Sequence, residues 1–87
     1  MMKTYKPNNA EIDATNSWDI WSKEPSKFEW EYNEKETCYI IEGEAMVRNI
    51  ETNEEIKFIS GDIVVFEKGL KCIWEIKQTI KKRYIFG

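Results

Sequence analysis

The sequence predicts an all-β fold, a small sandwich or barrel, on three observations. From Phe28 onward apolar residues recur with period two, the spacing of half-buried strands. Turn-forming residues cut the chain at intervals of roughly ten residues, the rhythm of short antiparallel strands. Glycines frame two segments, Glu36-Thr-Cys-Tyr-Ile-Ile-Glu-Gly43 and Gly61-Asp-Ile-Val-Val-Phe-Glu-Lys-Gly69-Leu-Lys-Cys72.

Taken in order, residues 1–27 read as an irregular or short-helical N-terminal arm packing on a barrel formed by 28–87. Pro7-Asn-Asn9, Asp13, Asn16 and Pro25-Ser26 punctuate the arm. Ser17 to Lys23 reads as one helical turn, with Trp18 and Trp21 three apart on one side. Phe28, Trp30 and Tyr32 alternate with Glu29 and Glu31 as a strand, and Cys38 to Glu42 forms another that ends at Gly43. Ala45/Val47 and Ile56/Phe58 flank Asn49-Ile-Glu-Thr-Asn53, a hairpin loop. Ile63 to Phe66 is a fully apolar strand. Cys72, Trp74 and Ile76 precede an expected turn at Gln78-Thr79, and Ile80, Tyr84 and Phe86 close the chain. Gly43, Gly61 and Gly69 are read as turn residues that take positive φ.

Composition narrows the function classes. At 87 residues the chain is one domain, and 14% aromatic content suits an efficient core at this size. The net charge of −3, with no basic stripe, argues against a nucleic-acid partner. No apolar run approaches the ~20 residues of a membrane span, so no membrane partner is expected. Met1 to Pro7 lacks the apolar stretch of a signal peptide, and a cytoplasmic location is expected. Cys38 and Cys72 are too few for a disulfide framework and are read as thiols.

The two glycine-framed segments resemble the paired motifs of the cupin superfamily, whose fold is a double-stranded β-helix, or jelly-roll barrel, with the site inside. The usual first motif sets His-x-His before a glutamate and then a glycine. Here Glu36 and Gly43 match, while Trp30 and Tyr32 stand at the paired histidine positions. In the second motif Gly61 and Gly69 match, Glu67 replaces a proline, and Cys72 stands where a histidine is usual. The chain contains no histidine at all. A finer similarity, spanning about residues 17–86, is to small single-domain cupins of the ureidoglycine aminohydrolase and ethanolamine-utilisation type. It rests on Trp18-Asp-Ile-Trp21, Pro25-Ser26, the Trp30-Glu-Tyr32 run, Glu36-Thr-Cys-Tyr-Ile and Lys68-Gly-Leu-Lys-Cys-Ile-Trp74.

Candidate site residues follow from the alternation. Glu36, Cys38 and Ile40 share one face, as do Cys72, Trp74 and Ile76. A carboxylate placed among Trp30, Tyr32 and two thiols must be neutral, hydrogen-bonded or paired with a cation. Lys82 is the candidate cation, because it shares a face with Ile80, Tyr84 and Phe86; otherwise its ammonium snorkels to water at the rim. Glu36, Cys38, Cys72 and Tyr32 are the available metal donors, but buried cysteines most often act as small hydrophobes. No metal or other cofactor is expected. Cys72 as a nucleophile would lack a histidine to activate it. The tryptophans admit sugar stacking, but core packing is the favoured role in so small a domain. Glu51, Glu54 and Glu55, and the run Lys81-Lys82-Arg83, lack ligand spacing and read mainly as solvated hairpin faces.

Three readings of function result. The favoured one is a cupin that binds a small polar metabolite without a histidine-type metal site, using Trp30, Tyr32, Glu36, Cys38, Cys72, Trp74, Lys82 and Tyr84. The second is an enzyme similar to the ureidoglycine aminohydrolase cupins, with Glu36 as candidate general acid or base. The third is an interaction module with a filled barrel, a homodimer paired through free strand edges.

Overall fold

The computed structural model describes every residue from Met1 to Gly87. Strands dominate: β1 (Met2–Tyr5), β2 (Asp19–Lys23), β3 (Ser26–Glu31), β4 (Glu36–Asn49), β5 (Glu55–Ile59), β6 (Ile63–Phe66) and β7 (Lys71–Phe86). One helix, α1 (Asn9–Ala14), runs into a 3-10 turn at Thr15–Ser17. All seven strands join one antiparallel sheet.

The long strands β4 and β7 form the spine, paired from Glu36↔Phe86 to Asn49↔Cys72. Their register slips between Ile40 and Ala45, and the sheet folds over there. On one side of this bend lie β1, β6, the first half of β4, the second half of β7, and β2. On the other lie β5, the second half of β4, the first half of β7, and β3. The two leaves face each other as the jelly roll expected from the paired motifs.

The slip is visible in β4 itself. Glu36, Cys38 and Ile40 are buried before it, Ala45, Val47 and Asn49 after it. Inward positions change from even to odd, as one inserted residue requires. Gly43, at φ +99°, sits at this point inside the strand rather than in the turn anticipated for it. A Cβ there would collide with the Thr79 backbone carbonyl, so the crossing β7 backbone requires glycine. Gln78-Thr79, expected as a turn, is likewise continuous strand, since bending both partners together keeps their ladder intact. Gly61 and Gly69 do occupy turns, at φ +95° and +93°. The Asn49–Asn53 hairpin also forms, with the Asn49 side chain accepting from the Glu51 backbone at 2.9 Å.

The N-terminal arm departs most from expectation. Two of its segments are strands: β1 pairs with β6, and β2 pairs with β7. The expected helical turn at 17–23 is mostly β2, with Trp21 half-buried and Ile20 and Ser22 exposed. Pairing with β7 from Asp19↔Tyr84 to Lys23↔Ile80 satisfies the backbone of this segment. The helix forms instead at 9–14, where Asn8 and Glu11 make a reciprocal capping box. Arg83 anchors its end, donating to Thr15 Oγ1 and Asn16 Oδ1, each at 3.1 Å.

Rings from both leaves fill much of the interior. Trp74 lies 5.5 Å from Phe58 and 5.4 Å from Phe66, centroid to centroid, and Tyr32 stacks on Phe66 at 5.0 Å. No helix is long and apolar enough to cross a membrane.

Candidate functional site

Beside this ring cluster lies a cavity of about 240 Å³, bounded by β2, β3, the start of β4 and both halves of β7. Its polar floor is built by three side chains. Glu36 opens β4 facing inward, Lys82 is the inward residue of β7 four places past the bend at Gln78, and Tyr32 follows the end of β3. Tyr32 is held there by backbone bonds to both Leu70 (2.9 Å) and Gly69 (2.7 Å). Its hydroxyl donates to Glu36 Oε1 at 2.8 Å, and Lys82 Nζ donates to Glu36 Oε2 at 3.0 Å. The Glu36 and Lys82 side chains are only 4% and 7% exposed, so the ion pair is buried.

Between the two outcomes open to Glu36, the fold supplies the cation. It also boxes that cation. The Lys82 ammonium lies 4.7 Å from the ring centroid of Trp74, 4.8 Å from Trp21 and 5.8 Å from Tyr84. Ring faces are electron-rich, so the charge is held by three quadrupoles as well as a carboxylate. The ammonium does not reach out to water at the rim.

Six of the eight residues expected at the site line this cavity: Trp30, Tyr32, Glu36, Trp74, Lys82 and Tyr84. Trp30 faces the same way as Phe28 but stands at the mouth, 51% exposed. Cys38 and Cys72 are not part of the lining; both are fully buried free thiols. Cys72 Sγ contacts the Trp30 carbonyl oxygen at 3.5 Å. Sequence reasoning did not place Trp21, Phe28 and Phe86 in the lining, although the period-two pattern already put Phe28 on the face of Trp30. For Trp21 the signal was misassigned, because helical spacing to Trp18 hid the strand.

Burial decides the state of the nearby acids. It pushes the Cys72 thiol up to about 11, with the Glu36 charge adding to the effect. Cys38 is raised further by burial, partly offset by Lys82. The Tyr32 phenol is raised well beyond its ordinary range, first by burial and then by Glu36. All three release protons more readily unfolded than folded. The stability they confer is therefore complete below a thiol's ordinary 9.0; the Cys72 part is lost as pH rises through about 11, and the Cys38 and Tyr32 parts at higher pH still. Melting temperatures should fall across that alkaline window, and a Cys38→Ala/Cys72→Ala variant should show a shallower fall. Iodoacetamide should label either thiol in the native state far more slowly than in denaturant, read by mass spectrometry.

The geometry can be set beside known proteins. A family model described as the EutQ-like cupin domain matches residues 10–84. The chain belongs to that family. Among solved structures, this cupin is similar to a DUF861 family protein from Thermotoga maritima, with a TM-score of 0.95 and 35% identity over 100% of both chains. It is also similar to the EutQ protein of Clostridium difficile, with a TM-score of 0.71 and 17% identity, covering 98% of this chain and 66% of that one. At that identity the second likeness concerns the fold alone. A search of the curated proteins found no match.

The motif resemblance would put a cupin metal site at Trp30, Tyr32, Glu36 and Cys72, and these residues do not fit a metal. An indole offers no lone pair in its plane. The Lys82 ammonium already neutralises the Glu36 carboxylate, and the Cys72 thiol holds its proton at neutral pH. No three His, Cys, Asp or Glu side chains gather closely enough to ligate an ion. No metal-assisted step follows from this donor set.

Proposed function

We propose that this cupin binds a small metabolite in the aromatic cavity through hydrogen bonds to the Tyr32–Glu36–Lys82 floor, without a histidine-type metal site. The observation that carries the reading is the buried ion pair facing an open cavity. Charged groups are expensive to bury, and a fold that needed only a core would be served by apolar side chains of similar volume. A few converging polar groups within an apolar enclosure are the ordinary make-up of a small-molecule site. At about 240 Å³ the space falls below the ~300–1,000 Å³ of drug-sized pockets, which suits a compact ligand. The two cysteines that sequence reasoning included become supports for the floor in this proposal.

A screen of small metabolites by protein-observed NMR tests it. Binders should perturb the indole signals of Trp21, Trp30 and Trp74 together. A library whose hits all map elsewhere, or that leaves these signals unmoved, would sink the proposal. Trp30→Ala provides a second check. The side chain stands half in solvent at the mouth, so its loss should cost only about 1–2 kcal/mol of stability. It should weaken a cavity ligand roughly tenfold, about 1.4 kcal/mol, through the missing wall. We propose separately that a second copy of this chain is a partner through free strand edges, which sedimentation equilibrium reads directly.

A further inference from the structure

Resting on the cavity as a binding site, we propose its ligand class: neutral molecules that carry an amide-type pair, a carbonyl oxygen beside an N–H donor, on a flat apolar body. The argument is the unspent hydrogen-bonding capacity of the floor. Lys82 has three N–H donors and gives one, to Glu36. The other two have only the Cys38 sulfur and the rings of Trp21, Trp74 and Tyr84 beside them, and no second oxygen acceptor within the protein. Each Glu36 oxygen accepts one bond, from Tyr32 or Lys82, and a carboxylate has about four lone-pair sites. Both residues line the cavity. The floor therefore offers a donor and an acceptor side by side, their atoms 3.0 Å apart.

Charge then selects among ligands. A cation would seek the ring box and the carboxylate, but the Lys82 ammonium already occupies that place. A second ammonium would be set against the first. An anion would share one lysine with Glu36, leaving net negative charge in a mostly apolar enclosure, which is strongly unfavourable. A neutral amide leaves the pair balanced: its oxygen accepts from Lys82 and its N–H donates to Glu36. The walls suit the remainder of such a molecule. Phe28 and Trp74 are stacked within 8° of parallel, and Trp30 and Phe86 stand at the mouth.

Three probes with one apolar body and different heads test the class: benzamide, benzoate and benzylammonium, titrated into the wild-type protein and followed by the tryptophan indole signals. Benzamide is expected to bind at least tenfold more tightly than either charged probe. If benzoate or benzylammonium binds equally or better while moving the same signals, the class is wrong and the cavity remains a binding site. If none of the three moves them, the class also falls, and the metabolite screen decides the cavity separately.

Discussion

Lys82→Ala is expected to destabilise the fold by about 3–5 kcal/mol, because it leaves the Glu36 carboxylate buried with no cation. The whole stability of an 87-residue domain is roughly 4–13 kcal/mol, so this single change takes a large part of it. The loss comes from the orphaned charge rather than from any large net gain in forming the pair. Taking two charges out of water is costly, and their attraction at 3.0 Å repays much of that and little more. Hence a Glu36→Leu/Lys82→Met variant should recover most of the lost stability and can exceed the native chain. Denaturant midpoints at unchanged m-value are the measurement. The ring box supplies an independent readout. With the lysine side chain gone, added methylammonium should raise the midpoint of Lys82→Ala and leave the native protein unaffected. A loss below about 1 kcal/mol for Lys82→Ala would mean that water screens the pair, contrary to its burial.

Gly43→Ala is expected to be of similar severity for a different reason. Its φ of +99° is unfavourable to any side chain, and the new Cβ would also run into the Thr79 carbonyl and the Gln78 backbone. Backbone atoms within a ladder cannot rotate aside as a side-chain tip can. Strain at a rare φ and overpacking are each worth about 1–3 kcal/mol, so a combined loss of roughly 3–5 kcal/mol is expected. Gly61→Ala is the control. Its φ is +95°, but the nearest atom to its Cβ is the flexible Lys6 ammonium, 4.0 Å away. Only the conformational strain applies there, about 1–3 kcal/mol. Equal effects at the two positions would show that the approach of β4 and β7 at the bend is looser than described.

The two glycines also mark where sequence reading stops. Both appear in the chain with the same chemistry and a similar neighbourhood of polar and apolar residues. One occupies a turn and the other a bulge within a strand, a difference set by the chain crossing behind it. Likewise Trp18 and Trp21 have a spacing that a helix and a strand can each accommodate. The choice was made by the free edge of β7, which offers the backbone partners that five residues cannot find alone. The Asn8…Glu11 capping signal was legible and would have placed α1 correctly.

The all-β class, the hairpin at Asn49–Asn53, the paired motifs and the inward faces of β4 and β7 were determined by the sequence alone. Period-two burial and turn chemistry act within a few residues and can be read from a line of text. Glu36 and Lys82 are 46 positions apart, and Trp21, Trp74 and Tyr84 reach the ammonium from two strands. Alternation indicated that all but Trp21 faced inward, but not how far apart they would lie. That distance was decided by the tertiary structure, where the bend at Gly43 and the register of β4 on β7 bring a carboxylate and an ammonium within hydrogen-bonding reach. Electrostatics at such a site depends on separations of a few ångströms, and only the folded chain sets them.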